Sequence, residues 1–229
     1  PQSIAATAKI LNAAGEKWTF RLDGFEATNF GMLSGNPDWQ KEATLKIINA
    51  AIKIGAKLVV LPECGHAYMA LRWMGANMLG KPLPFKVLHI SEYLSDALDK
   101  GKFKVGKVNT SVTYHDPCQV SRRGGATEAA RNVLKHLGVD FREMEYGGDY
   151  NWCCGGGGGV VTIKRADPLR RRVFKLKMDQ VEKTEAEELL SSCANCRQSF
   201  DDSQEYFNWD YKMGSLMEMV AENLEEDGS

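Results

Sequence analysis

Five of the six cysteines form one pattern: Cys118, then the adjacent pair Cys153 and Cys154 running into Gly155–Gly159, then Cys193 and Cys196 in a C-x-x-C. Neighbouring Cα atoms sit about 3.8 Å apart, whereas unstrained disulfides prefer about 5.5–6 Å, so a Cys153–Cys154 bridge would be strained. Two back-to-back thiolates are also awkward ligands for a single tetrahedral ion. They suit a site where each binds a different metal or bridges two, which points to a multi-iron cluster and to electron transfer or redox catalysis. Zinc is the chief rival, because C-x-x-C is half of many structural zinc sites. Those sites take four ligands in closed geometry, however, and here there are five candidates.

Such distant residues need a scaffold that gathers them. Cys118 and Cys153 are separated by 34 residues, and Cys154 and Cys193 by 38. Each group follows a predicted strand or lies in the loop after it. In a parallel α/β unit those loops crowd the carboxyl edge of the sheet, where ligands are usually bound. The five glycines lack Cβ atoms, so their backbone can approach sulfur and aim N–H groups at a negative centre. No Gly-Lys-Ser/Thr ending follows them, which separates the run from a phosphate loop. Arg122, Arg123 and Arg170–Arg172 are candidates to soften the charge, although such runs are usually solvated helix faces.

The 229 residues suffice for one large domain or two smaller ones. A hydrophobic share of 43% and a charged share of 26% are ordinary for a globular chain. The net charge of −1 gives no basis for attraction to nucleic acid or to a membrane surface. No apolar run approaches the roughly 18–20 residues of a membrane helix, so no nucleic-acid partner and no direct membrane insertion are expected. The sequence shows no leader with a basic start and an apolar core, and clustered cysteines in such a chain favour metal or redox chemistry over a disulfide scaffold. It begins at Pro1 without methionine, and a processed or missing start is expected.

Helical and β-rich runs alternate. Helices are predicted over Ser3–Ala14, from Pro37 (capped by Asn36) to Ile54, from the Cys64 region to Met78, and over Tyr93–Leu98, Ala126–Leu137, Pro168–Lys183, Asn195–Tyr206 and Leu216–Leu224. Strands are predicted at Trp18–Leu22, Lys57–Leu61, Val87–Ile90, Ser111–His115, Val139–Met144 and Glu188–Ser192. This rhythm argues for an α/β architecture with helices flanking mainly parallel sheets. The halves also resemble each other. Ala6–Gly15 aligns with Ala129–Gly138, Asn29-Phe30-Gly31 with the vicinal cysteine region, and Cys64-Gly65-His66-Ala67 with Cys193-Ala194-Asn195-Cys196. Two copies of one unit are expected to meet near residue 100.

The stretches HDPCQVSRRGG, NWCCGGGGG and SSCANC resemble the cysteine-rich CCG domain family, over about Ser111–Arg197. The first half (AATAKILNAAG, TNFGMLSGN, LPECGHAY) is similar to the degenerate copy in the heterodisulfide reductase D-like branch, which includes the DsrK, HmcF and TmcB types. The resemblance implies two pseudo-repeated CCG half-domains: residues 1–100 as a degenerate, N-terminally incomplete copy, and 101–229 as a complete copy. It implies one noncubane [4Fe-4S] cluster held by Cys118, Cys153, Cys154, Cys193 and Cys196. It further implies reversible disulfide/thiol chemistry in two one-electron steps, with a substrate sulfur held on iron in between. The expected substrate is a disulfide, such as one on a small protein with C-terminal cysteines. Expected partners are a membrane haem or quinone-reactive subunit and other iron–sulfur subunits, giving a cytoplasmic protein held peripherally at the inner membrane. The ferredoxin-like region usual in the family is not visible, so it either precedes Pro1 or is replaced by a separate subunit.

Cys64 and His66 are expected to face the cluster, as a substrate-side thiol and a proton donor. The plainer reading is a core cysteine beside a structural histidine. His115, Asp116 and Arg122 flank the first ligand and are candidates to orient it, or simply to shape the turn at Asp116-Pro117. Two other functions remain open: an electron-transfer subunit of a flavin-dependent dehydrogenase, and a zinc-stapled module without redox activity.

Overall fold

The computed structural model describes residues 2–24 and 28–225, with the backbone alone for residues 28–30 and 158. Pro1 and the side chains of Asn29 and Phe30, which entered the comparison of the halves, lie outside the described residues. The first half runs through α1 (Gln2–Ala13), α2 (Thr28–Ser34), α3 (Pro37–Lys53), β1 (Leu58–Leu61), α4 (Gly65–Met69), a π-helical turn, α5 (Gly75–Leu79), β2 (Lys86–His89) and α6 (Ile90–Asp99). The second half runs through β3 (Ser111–His115), α7 (Glu128–Leu137), β4 (Asp140–Phe141), α8 (Asp167–Glu182), β5 (Glu188–Ser191), α9 (Ala194–Phe207), β6 (Lys212–Ser215) and α10 (Leu216–Glu222).

Local chemistry explains the boundaries. Asn36 caps α3 by accepting from the amides of Asp38 and Trp39, and Pro37 fills the first turn. On α7 the buried residues Ala130, Val133, Leu134 and Leu137 make one apolar stripe, and Gly138 ends the helix at φ 65°.

All strand pairs are parallel: β1 with β2, and a four-stranded sheet in the order β4-β3-β5-β6. Every residue of β3 and β5 is buried, as expected for central strands covered by helices on both faces. This is the predicted α/β architecture. The same succession recurs in each half. β1 and β2 pair with Leu61 beside His89, and β2 enters α6; β5 and β6 pair with Ser191 beside Ser215, and β6 enters α10.

Two strand expectations fail. Trp18–Arg21 lies outside any strand and Leu22–Gly24 forms a 3₁₀ turn. Phe20 and Leu22 are 62% and 82% exposed, so the alternating pattern has neither a neighbouring edge nor a core to face. The predicted Val139–Met144 strand shrinks to Asp140–Phe141. Beyond Arg142, whose amide still bonds to Val112 O, the chain turns at Tyr146 (φ 59°) to deliver Gly148 to Asp116. Sequence reading also missed β6, whose short KMGS segment is recruited only by the exposed edge of β5.

Three hydrophobic clusters form the core. One draws Ile10, Ile90, Leu94, Val112, Val133, Leu134, Leu190 and Leu216 from both sides of residue 100. A second joins Ile48, Leu61, Tyr68 and Val87 to Val120 and Ala126 of the second half. The third collects Met144, Phe174, Leu189 and Phe200 together with Cys154, Cys193 and Cys196. Fully burying a side chain such as Phe174 contributes about 1.5–3 kcal/mol, so this third cluster both stabilises the fold and dries the sulfur region.

Candidate metal centre

The parallel strands direct the cysteines to one edge. His115, the last residue of β3, pairs in register with Ser191, the last residue of β5. Three residues beyond His115 comes Cys118; two beyond Ser191 comes Cys193. The two segments therefore leave the same sheet edge side by side. Cys193 is the N-cap of α9, and Cys196 follows within its first turn. Cys154, Cys193 and Cys196 are buried, while Cys118 and Cys153 are half-buried.

The sulfurs bear on one another's proton affinities. Hydrogen bonds from Cys153 and Cys196 hold the Cys154 thiol well below its ordinary range, and the same bonds push Cys153 and Cys196 up. Cys196 lowers Cys193, and the backbone amide of Gly65 adds to that effect. Burial raises Cys118, and the charges of Cys154 and Cys193 raise it further. The structure thus brings all five cysteines into one electrostatically linked group.

The glycine run meets the sulfurs as its composition suggests. The Gly155 amide donates to Cys153 Sγ at 3.3 Å, and the Gly156 amide to Cys154 Sγ at 3.4 Å. Gly155 has φ 81°, and a Cβ on Gly156 would come within 2.7 Å of Ser199 Cβ. Ser199 donates to Cys154 O at 2.9 Å, and Asn195 to Gly156 O at 3.1 Å, so α9 fixes the loop as well as carrying Cys196.

The residues flanking Cys118 act as braces. Asp116, 2% exposed, accepts two hydrogen bonds from Arg131 (3.0 and 2.9 Å) and one from the Gly148 amide at 2.7 Å. Arg122 donates to Asp149 O at 2.8 Å and to both the backbone and side-chain oxygens of Asn151, tying the Cys118 loop to the approach of the vicinal pair. A cleft of about 630 Å³ opens beside Arg131, Glu143 and Asp149; no cysteine lines it.

His115 is 1% exposed, with its ring edge-on to Phe200 at 4.9 Å and Nδ1 without a hydrogen-bond partner. Burial holds its imidazole below the ordinary value. A ring nitrogen of His115, Cys154 Sγ and Cys196 Sγ all lie within 4.8 Å of one another. The sequence suggested His115 only as an orienting group; the fold puts it among the sulfurs.

Lys177 was missed. It is 1% exposed, its Nζ reaches Met144 Sδ at 3.6 Å, and burial lowers its ammonium to about 8 against the opposing charges of Asp116, Cys154, Cys153 and Cys196. Lys177 lies on the buried face of α8 with Arg170, Phe174 and Val181, a face whose mixed composition gives the sequence no clear apolar stripe to flag it. The Arg170 and Arg171 guanidiniums are engaged by carboxylates instead, Arg170 by Asp167 and Asp202, and Arg171 by Asp202.

Cys64 lies at the N-cap of α4, its sulfur accepting from the Ala67 amide at 3.4 Å. Next to it, the Gly65 amide contributes to Cys193, and a Cβ on Gly65 would come within 2.8 Å of Gln119 Cβ. The Cys64–His66 segment therefore packs against both the Cys118 and the Cys193 loops. No described helix is long and apolar enough to cross a membrane.

Comparison with known proteins matches the same region. Residues 112–201 fit the family model described as "Cysteine-rich domain" (CCG). The chain is 34% identical over 228 residues to the D component of dihydromethanophenazine:CoB–CoM heterodisulfide reductase from Methanosarcina barkeri, covering 96% of this chain and 54% of that protein. It is 30% identical over 198 residues to an EtfAB:quinone oxidoreductase of Syntrophomonas wolfei (83% of this chain, 27% of that protein). It is 34% identical over 143 residues to the B component of fumarate reductase (CoM/CoB) from Methanothermobacter marburgensis (62% and 28%). The chain thus spans about half the length, or less, of these curated relatives. Among solved structures, a glutamate racemase from Bacillus anthracis aligns over 96% of this chain and 75% of that one, at TM-score 0.40 and 12% identity, which carries no argument. Residues 112–201 belong to the CCG cysteine-rich domain family, in a chain similar along nearly all its length to the D component of heterodisulfide reductase.

Proposed function

We propose that this chain is an iron–sulfur redox subunit of a heterodisulfide-reductase-like, membrane-associated complex. Cys118, Cys153, Cys154, Cys193 and Cys196 would hold one noncubane [4Fe-4S] cluster, and the reaction would be reversible disulfide/thiol interconversion. The observation that carries this reading is the convergence of five thiols, two of them adjacent, at one edge of a parallel sheet. The donor set suits iron–sulfur chemistry: all five side chains are sulfur, two loop amides already point at sulfurs, and the surroundings are apolar.

Such a cluster supplies single electrons, which lets a disulfide accept two electrons and two protons in separate steps to give two thiols. The protein's own residues do the rest. Gly155, Gly156 and Gly65 direct N–H groups at sulfur, which stabilises negative charge there. Phe174 and Phe200 exclude water. Cys64 and His66 are proposed as the substrate-side thiol and proton donor, since their segment packs on the Cys118 and Cys193 loops. The recurrence of paired strands supports reading the halves as two copies of one unit, the first without a cluster. Partners would be a haem or quinone-reactive membrane subunit and further iron–sulfur subunits, holding the protein peripherally at the membrane from the cytoplasmic side.

A second reading keeps the cluster and assigns the chain to electron transfer for a flavin-dependent dehydrogenase; the resemblance to the EtfAB:quinone oxidoreductase favours it. A third, a zinc module, draws on the grouping of His115, Cys154 and Cys196. Anaerobic purification followed by metal and acid-labile sulfide analysis separates the classes. Iron with sulfide, lost in Cys153→Ala and Cys193→Ala, is the expected result. Colourless protein with one zinc per chain overturns the proposal. Thiol-dependent spectral change without a flavoprotein favours disulfide chemistry over the second reading.

A further inference from the structure

Lys177 is a buried charge without an ordinary counter-ion. Its side chain is 1% exposed, its Nζ donates to the weak acceptor Met144 Sδ at 3.6 Å, and among the described residues it forms no ion pair with a carboxylate. The largest acidic influence on it, Asp116, is already occupied by Arg131 and the Gly148 amide. Met144 packs in the same buried cluster as Cys154, Cys193 and Cys196, and the other negative influences on Lys177 are Cys154, Cys153 and Cys196. An ammonium left buried and unpaired is strongly unfavourable. A thiolate-bound anionic centre at those three sulfurs would offset that cost. The nearby Arg170 and Arg171 cannot substitute, since their guanidiniums are held by Asp167 and Asp202.

We infer that Lys177 is the fixed counter-charge of the sulfur-bound centre and sets its reduction potential. The inference rests on the iron–sulfur reading above. Adding an electron makes the centre more negative, so a fixed neighbouring cation stabilises the reduced form more than the oxidised form. Removing the charge therefore favours the oxidised form and lowers the midpoint potential. The low-dielectric surroundings of Phe174 and Phe200 amplify the effect, and solvent salt screens it little. Lys177 acts as a positioning charge, not as a group that touches substrate.

The test compares anaerobically purified wild type, Lys177→Met and Lys177→Arg by iron and acid-labile sulfide content and by potentiometric titration followed by electron paramagnetic resonance. Lys177→Met keeps the length and removes the charge. It is expected to retain iron while its one-electron reduction equilibrium falls about tenfold or more, 59 mV for each factor of ten. A Lys177→Met protein with wild-type iron and an unchanged midpoint overturns the inference. If Lys177→Met loses the cluster, retention in Lys177→Arg with a midpoint near wild type supports a need for charge. Loss in both variants overturns it in favour of a purely steric role. Wild-type protein without iron and sulfide defeats the underlying cluster reading itself, before any variant is compared.

Discussion

The Glu63 carboxylate is paired with the Arg197 guanidinium, one residue beyond Cys196, although Glu63 belongs to the turn that follows β1 in the other half. Ser215 at the head of α10 donates to the other carboxylate oxygen, and the Glu63 carbonyl accepts from the Ala194 amide at 3.0 Å. Glu63 is 4% exposed and has φ 50°, an uncommon backbone state for a residue with a side chain. The pair fastens the Cys64 turn onto the helix that carries Cys196.

Removing one partner leaves a buried carboxylate uncompensated. Arg197→Met is therefore expected to destabilise the protein by about 3–5 kcal/mol, and Glu63→Gln by less, because an amide retains part of the hydrogen bonding. Denaturant unfolding of the three proteins checks the order. Equal stability of Arg197→Met and wild type would contradict it.

Among the described positions of the glycine run, Gly155, Gly156 and Gly159 need glycine and Gly157 does not. In Gly156→Ala the new Cβ would press on Ser199 Cβ from 2.7 Å, costing about 1–3 kcal/mol and displacing the amide from Cys154 Sγ. In Gly157→Ala the nearest atom would be Cys153 Sγ at 4.0 Å, so folding should be little changed. Bound iron per chain and thermal midpoints measured on both variants should separate them clearly.

The half-buried Arg131 holds the buried Asp116 in a bidentate pair, and Asp116 also fixes Gly148. Arg131→Met strands the carboxylate and frees the loop before the vicinal cysteines. A loss of about 3–5 kcal/mol is expected, together with faster amide exchange at Gly148 and Asn151. Exchange mass spectrometry limited to that loop provides the check.

His89 supplies a pH dependence separate from the sulfurs. It caps α6 through Nδ1, which accepts from the Ser91 amide, and it packs edge-on against Tyr68, with Glu92 bonded to its own backbone amide. Burial pushes its imidazole down to about 3, against a smaller opposing effect from the Ser192 backbone. The native state thus favours neutral histidine and binds fewer protons than the unfolded chain. Its stabilising contribution is complete above the unfolded value of about 6.5 and is lost as pH falls from there toward about 3, at up to about 1.4 kcal/mol per pH unit. His89→Asn, which keeps a capping acceptor, should flatten the stability profile between pH 6.5 and 5, measured by urea unfolding.

The parts of the site written in local chemistry were legible in the sequence. The spacing of Cys118, Cys153, Cys154, Cys193 and Cys196 after β-rich runs foretold a shared sheet edge, and the glycines foretold amides at Cys153 and Cys154. Asn36 and Pro37 announced α3 unaided. What escaped depended on neighbours far along the chain. Trp18–Leu22 has a strand's alternation but no edge to join, and β6 lacks a strand's composition but finds one. Lys177 reads as one more helix charge until the fold turns that face inward. Likewise Glu63 reveals its role only when Arg197 arrives from 134 residues away.

The reach of the Gly65 amide to Cys193 also bears on how little of the chain can be cut away. The 112–201 segment contains every thiol of the pattern, yet a fragment trimmed to those limits would lack that donor and the Glu63 anchor. Water would then enter on the side the missing turn had covered. An apparently self-sufficient binding module would become an open, oxygen-exposed bowl, with its upstream half needed as a cover.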